Sequence, residues 1–160
     1  PWRGNKYSAF EGGTAVPVIV RWPQKIKETG DSDLLMSQID WLASLGALIN
    51  ARMPKGSAPD SYDRSGNLTG TDKTDRPWII EQSMNHTLSV RTKDWKYIEP
   101  NDDPTTFMKA EKVETGNLNV PQLYDMRKVN EQENVAEKYP GKVFELQKVL
   151  RQVRNKTIKM

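Results

Sequence analysis

The chain has no cysteine among its 160 residues. Disulfides, zinc–thiolate centres and cysteine nucleophiles are therefore excluded within it. The absence leaves the compartment open, because proteins of oxidising compartments need not carry disulfides. Histidine occurs once, at His86. No apolar run approaches the ~18 residues that a membrane-spanning helix requires, and no signal peptide is visible. The chain opens abruptly on Pro1-Trp2-Arg3-Gly4 and reads as a cut from something longer, so the missing leader is uninformative. Charge of either sign is scarcely in excess. The 24 Lys and Arg residues are interspersed with 21 Asp and Glu, for a net +3, and only Arg151 to Lys159 is a net basic run. That pattern argues for a solvated helix face and tail and against a nucleic-acid partner. Apolar residues are also sparse, at 36% with a mean hydropathy of −0.77, so the core is modest. Ten Gly and ten Pro imply much loop.

What is present has a readable order. Val16-Pro17-Val18-Ile19-Val20-Arg21-Trp22-Pro23 is a short apolar run that reads as a strand buried on both faces. Asp33 to Ala51 reads as a helix, with Leu35, Ile39, Leu42, Leu45 and Ile49 as a stripe at helical spacing and Asp40 capping an inner segment. A strand followed by a helix is what the last unit of an α/β domain looks like. Met53 to Arg76 is rich in Pro, Gly, Ser, Asp and Thr and reads as a surface loop and boundary. Strands follow at Trp78–Gln82, Thr87–Arg91 and Asp94–Glu99, with Thr92-Lys93 as a tight turn; Gln122–Asp125 makes a fourth. Asn101 to Asn119 is polar and irregular. Pro140 opens a final helix with Val143, Leu146, Leu150 and Val153 on one face. The expected architecture is α/β passing into α+β: a strand–helix unit, then a four-stranded antiparallel sheet carrying a C-terminal helix.

The densest cluster of chemistry-bearing residues is Arg3-Gly4-Asn5-Lys6-Tyr7-Ser8-Ala9-Phe10-Glu11-Gly12-Gly13. Its glycines let backbone pass close to a ligand or to another segment. Lys6 is a compact cation on a flexible stem that can reach an anion as a point charge. By itself the cluster also fits a glycine-rich turn with a solvated lysine. The extended pattern Arg3-Gly4-x-Lys6, four residues, Glu11-Gly12-Gly13, two residues, Val16-Pro17 resembles the segment that closes the catalytic domain of formylglycine-dependent sulfatases. The resemblance continues through Ser37-Gln38-Ile39-Asp40-Trp41-Leu42 and Val90-Arg91-Thr92-x2-Trp95-Lys96-Tyr97-Ile98. It ends in Leu123-Tyr124-Asp125-Met126 and Glu131-Gln132-x-Asn134-Val135-Ala136. Asn5 and Tyr7 depart from two glycines usual in the family, Ala15 from a common arginine, and Ala43-Ser44 from Pro-Thr. The stretch after Tyr124-Asp125 is one residue short and lacks the common Asp-Pro turn. These departures leave the substrate open.

The resemblance implies an alkaline-phosphatase-like α/β domain ending over residues 1–52, a linker over 53–76 and a C-terminal α+β subdomain over 77–160. It implies hydrolysis of a sulfate ester, on a sulfated carbohydrate or an aryl sulfate, in an exported protein. It implies a formylglycine nucleophile and a calcium ion in the full-length enzyme, both upstream of Pro1, so this portion is expected to hold neither and to be inactive alone. Lys6 matches the lysine that contacts the sulfate and the bridging oxygen, with Arg3, Gly4, Glu11, Gly12 and Gly13 as the motif around it. Negative charge moves onto the leaving oxygen as the S–O bond breaks, and a preorganised ammonium in a dry pocket stabilises it.

Other residues carry blander expectations. Ser57-Ala58-Pro59 lacks the following arginine of a nucleophile motif and lies after Lys6. Asp31, Asp33, Asp60 and Asp63 read as turn and cap residues rather than metal ligands. Glu11 reads as a buried structural carboxylate, because a carboxylate beside a sulfate repels it. Trp95 and Tyr97 read as sheet packing. His86, in a hairpin turn, is a candidate substrate contact. Asn67, Asn85 and Asn155 each begin an Asn-x-Thr match without support for glycosylation. A catalytic-domain remnant without its sheet is expected to be poorly ordered or open to oligomerisation. Two further readings stand: another hydrolase of the alkaline phosphatase superfamily, such as a phosphodiesterase or phosphonate hydrolase, and a non-enzymatic glycan- or partner-binding module.

Overall fold

The computed structural model describes residues 2–101, 112–128 and 131–156. Much of the polar stretch expected over Asn101 to Asn119 and the end of the basic tail lie outside them. The chain packs as two compact units, residues 2–16 with 80–156, and residues 17–79. Compactness thus groups the first sixteen positions with the sheet, a different division from the compositional one at residues 52 and 76.

The first unit is built on four short strands in sequential order: β1 (Ile79–Gln82), β2 (Leu88–Arg91), β3 (Trp95–Ile98) and β4 (Gln122–Asp125). All four lie where alternation placed them, and β2, β3 and β4 pair antiparallel. Register opposes Val90 to Tyr97 and Tyr97 to Leu123, and one residue along it opposes Arg91 to Lys96 and Lys96 to Tyr124. Successive side chains leave a strand on opposite faces, so the sheet has two unlike sides. Val90, Tyr97 and Leu123 form an apolar side. Ser89, Arg91, Lys96, Ile98, Gln122 and Tyr124 form a mostly polar one.

Helix α4 (Pro140–Arg154) packs against β2 and β3. Proline suits its first turn, where the missing N–H would be unsatisfied anyway, and Arg151 and Arg154 fill its last turn. Leu146 and Leu150 are buried, and Gln147 Nε2 donates to the Tyr97 hydroxyl at 3.1 Å. Trp95 meets the Tyr139 ring at 5.2 Å, as sheet packing rather than an open platform. The N-terminal segment lies on the polar side. Ala9 and Phe10 cluster with Ile98 and Tyr124, the two rings edge-to-face at 5.7 Å. The single turn α1 (Glu11–Thr14) follows directly.

The second unit departs from expectation. Val16 to Val20 is no ladder strand; it has no regular secondary structure and is exposed, with Ile19 at 93% exposure. A doubly buried strand needs neighbours on both edges, and none lies beside it among the described residues. The helix is shorter than expected. A 3₁₀ turn at Gln38–Asp40 runs into α2 (Trp41–Leu48), and α3 (Ser65–Thr69) follows in the loop region. The apolar stripe is mostly exposed, with Ile39, Leu42 and Leu45 open and Ile49 at 74%, while Leu35 is half-buried. What α2 buries instead is polar. Asp40 and Arg76, both fully buried, form an ion pair. Asp40 Oδ1 also accepts from Tyr62 N–H at 2.9 Å and Oδ2 from Ser37 N–H at 3.0 Å. Asp40 therefore closes a capping box on the 3₁₀ turn and ties the loop at residues 62 and 76 to it, a larger role than a helix cap. Ser44 Oγ donates to Asp40 O at 2.6 Å and accepts from Arg64 N–H at 2.9 Å.

Candidate active-site loop

The glycine cluster folds into a tight loop whose tip is Lys6. Gly4 and Tyr7 both take left-handed backbone, at φ +76° and +83°. Gly12 N–H donates to Arg3 O at 2.8 Å and Ser8 N–H to Asn5 O at 3.0 Å, closing the loop on its own base. A Cβ on Gly12 would stand 2.3 Å from Gly4 O, and one on Gly13 2.2 Å from Ser8 O. The glycine pair is thus required by backbone resting on backbone. Outside contacts fix the loop further. Ser8 Oγ donates to Glu114 O at 2.6 Å and Ala9 N–H to Thr115 O at 2.8 Å. Arg3 lies 4.1 Å over the Phe10 ring, donates from Nε to Glu114 Oε1 at 2.7 Å and from Nη1 to Glu131 O at 2.7 Å. Lys6 is exposed; its ammonium lies 4.9 Å from the Tyr7 ring centroid and pairs with no carboxylate among the described residues.

Glu11 is buried and structural. Its Oε1 accepts from Lys96 Nζ at 2.9 Å, and its N–H donates to Glu131 Oε2 at 2.8 Å. Lys96, at 0% side-chain exposure on the polar side of the sheet, also pairs with Glu81 at 2.9 Å and lies 3.8 Å from Glu131. Thr14 Oγ1 accepts from Lys96 at 3.1 Å, Arg91 Nε lies 3.4 Å from Glu11, and Ser89 Oγ donates to Glu81 at 2.9 Å. Burial alone would raise the Glu11 pKa, but Lys96 and Arg91 outweigh it and hold the carboxyl below its ordinary value. Burial would likewise lower Lys96, but Glu81, Glu11 and Glu131 hold it above. Glu131 goes the other way, raised by burial more than Lys96 lowers it. Sequence reasoning missed Lys96, Glu81, Glu131 and Arg91 as a group. The available signal was a lysine in the middle of an aromatic strand, where alternation aims it opposite to Trp95 and Tyr97.

His86 sits beside this loop. The turn between β1 and β2 is fastened to it by Met84 N–H donating to Tyr7 O at 3.3 Å, one residue after Lys6. Within the turn Ser83 N–H donates to Thr87 O at 3.0 Å and His86 N–H to Ser83 O at 3.1 Å. Asn85 is buried, and its side-chain oxygen accepts from Thr87 Oγ1 at 3.0 Å, so its sequon is not on open surface. His86 is exposed with φ +67°, and Gln82 Nε2 donates to its Nδ1 at 2.7 Å. In the neutral ring the hydrogen then sits on Nε2, available as a donor.

The remaining candidates are ordinary. Asp63 Oδ1 accepts from Ser65 N–H at 2.9 Å in a turn, and Ser57 Oγ donates to Pro54 O at 2.6 Å. Asn67 Nδ2 donates to Thr74 O at 2.9 Å. Among the described residues no three His, Cys, Asp or Glu side chains gather so as to hold a metal ion. The carboxylates that do converge surround Lys96, whose ammonium occupies their centre. This donor set does not fit calcium. No helix among the described residues is long and apolar enough to cross a membrane.

No family model matches the chain. It is 44% identical to an N-acetylgalactosamine-6-O-sulfatase of Bacteroides thetaiotaomicron over 97% of its own length and 30% of the relative's. It is 28% identical to human steryl-sulfatase over 64% of its length and 19% of that protein's. A solved Bacteroides thetaiotaomicron sulfatase, described with the metabolism of multiple glycosaminoglycans, superposes at a TM-score of 0.88 with 43% identity. That match covers 96% of this chain and 32% of the other. The chain spans about a third of the length of the two Bacteroides proteins and about a fifth of the human one. Calcium and formylglycine are usual in full-length members of their family. The motif around Lys6, the four-stranded sheet with its helix and this likeness agree: over nearly its whole length the chain is matched by a portion of the sulfatases.

Proposed function

We propose that the protein to which this chain belongs hydrolyses the sulfate ester of a sulfated amino sugar, and that Lys6 supplies the cation at the ester oxygen. The observation that carries this is the state of Lys6. It is an ammonium with no carboxylate partner among the described residues, at the tip of a loop whose backbone is fixed at both ends. A fixed backbone lets this ammonium meet charge on the departing oxygen without a loop rearrangement. Arg3, Gly4, Glu11, Gly12 and Gly13 shape and fasten the loop. His86, on the turn bonded to Tyr7, donates from Nε2 to the sugar beside it. The amino-sugar substrate class rests on the relative named as an N-acetylgalactosamine-6-O-sulfatase; an aryl sulfate serves as a minimal substrate.

The nucleophile and the calcium ion belong to the remainder of the longer protein, and the 160-residue chain alone is inactive. Residues 1–52 are, in this reading, the end of the larger catalytic domain, and 77–160 its C-terminal subdomain. The outward stripe of α2 and the unpaired Val16 to Val20 run support that reading, as apolar surface left without a neighbour. Export follows family habit.

The test is Lys6→Ala in the full-length protein. The kcat/KM on 6-O-sulfated N-acetylgalactosamine should fall by about 10²- to 10³-fold, the loss typical of one preorganised donor. A variant that folds normally and hydrolyses within a few-fold of the parent rate would remove Lys6 from the reaction and this reading with it.

A further inference from the structure

We infer that Lys96 and Glu11 are positioning residues for Lys6: a buried ammonium on the sheet holds the end of the loop, and through it the loop's tip. The inference rests on the proposed role of Lys6. Three observations carry it.

Lys96 is wholly buried, and its partners come from three places in the chain. Glu81 is on β1, Glu131 follows β4, and Glu11 and Thr14 are on the turn that directly follows the loop. A lysine needed only to fill space in a core would be replaceable by an apolar side chain of its volume, usually to the benefit of stability. Here three carboxylates are instead assembled around one ammonium and one guanidinium, Arg91. Next, the contact continues into the loop through backbone. Glu11 N–H is held by Glu131, and Gly12 N–H, one residue on, holds Arg3 O at the loop's base. Finally, the glycine contacts leave no slack. Carbonyl oxygens of Gly4 and Ser8 lie against Gly12 and Gly13, so a shift of α1 moves the backbone that carries Lys6.

Misplacing a catalytic group by an ångström can cost up to about 100-fold in rate. Substitution of Lys96 itself leaves three carboxylates facing one another and risks the fold. Glu11→Gln avoids this. It keeps the shape, breaks the charge link between sheet and loop, and leaves Lys96 with Glu81 and Glu131 while removing the carboxylate beside Arg91.

The experiment is a double-mutant cycle in the full-length enzyme, with Glu11→Gln and Lys6→Ala alone and together, read as kcat and KM on a sulfated sugar. If Glu11 acts through Lys6, Glu11→Gln lowers kcat by about 10- to 100-fold in the parent and has almost no further effect once Lys6 is alanine. A merely structural role predicts the same fold-loss in both backgrounds. That additive result overturns the inference, as does full activity of Glu11→Gln, and both leave the role of Lys6 intact. Full activity of Lys6→Ala would instead remove the proposed function and this inference together.

Discussion

Gly12 carries more of the fold than its size suggests. Its missing Cβ is the space in which Gly4 O and Arg3 O lie, at 2.3 and 2.6 Å from where that carbon would be. Both neighbours are backbone, so neither can rotate away. Gly12→Ala should destabilise the protein by about 1–3 kcal/mol, the usual cost of overpacking, seen as a lower urea midpoint at unchanged slope. Gly141→Ala, where an added Cβ meets nothing within 4 Å, should be neutral or slightly stabilising. Equal effects at the two sites would refute the packing argument. The need for glycine at positions 12 and 13 was legible in the sequence as a motif but not as a cause, because the touching backbone, from Arg3 to Ser8, is brought there only by the closed loop. Glu11 was legible as structural, since a carboxylate has no place beside a sulfate. Lys96 was not, because a single lysine in a strand looks like any edge or surface charge until its register with Arg91 and Tyr124 turns it inward.

The two longer helices make a contrast at the scale of elements. In α4 the apolar stripe turns inward, with Leu146 and Leu150 buried and Val143 and Val153 half-buried, and Leu146→Ala should cost about 2–5 kcal/mol because the helix packs on β2 and β3. In α2 the residues at the same spacing are exposed, and the buried positions are Asp40, just before it, Ser44 and Gly46. Leu42→Ser should therefore change the stability of the 160-residue chain by less than about 0.5 kcal/mol, but destabilise the longer protein if the stripe is covered there. Chemical denaturation of both lengths, with both substitutions, checks the pair. A large loss for Leu42→Ser in the short chain would show that the helix is turned the other way. The four strands and α4 could be placed from periodicity because the surfaces that cover them lie within the chain. The orientation of α2 and the state of Val16 to Val20 could not. Periodicity says that a face is apolar, and what covers it depends on residues beyond the pattern. The buried Asp40–Arg76 pair was likewise hidden, since Arg76 closes a stretch whose composition reads only as loop.

Across the unit that carries Lys6, the buried charges set how stability responds to pH, and the signs differ from group to group. Glu11 is held below its ordinary pKa by Lys96 and Arg91 against the pull of burial, so its contribution is present above the unfolded value of 4.5 and lost as pH falls through the folded one. Glu131 is raised by burial, so the folded unit holds its proton the more tightly; that contribution is full below 4.5 and lost as pH rises through the folded value. On the acid side the two oppose each other. Falling pH first protonates Glu131, which stabilises, and then Glu11, which destabilises. The unit should therefore be most stable in weak acid rather than at neutrality, with a steep loss beyond. On the alkaline side Lys96, raised by Glu81, Glu11 and Glu131 against burial, contributes fully below 10.5 and loses that contribution as pH rises through its folded value. Tyr124, pushed up to about 12 by burial, follows the same sign. Urea midpoints followed by far-UV circular dichroism from acid to alkaline pH would trace this curve. Glu131→Gln should abolish the rise in weak acid and keep the acid loss, and Glu11→Gln should flatten the acid loss. If both variants keep the parent's curve, the pH dependence comes from charges outside the cluster, and Lys96 with its carboxylates is not the element that governs it.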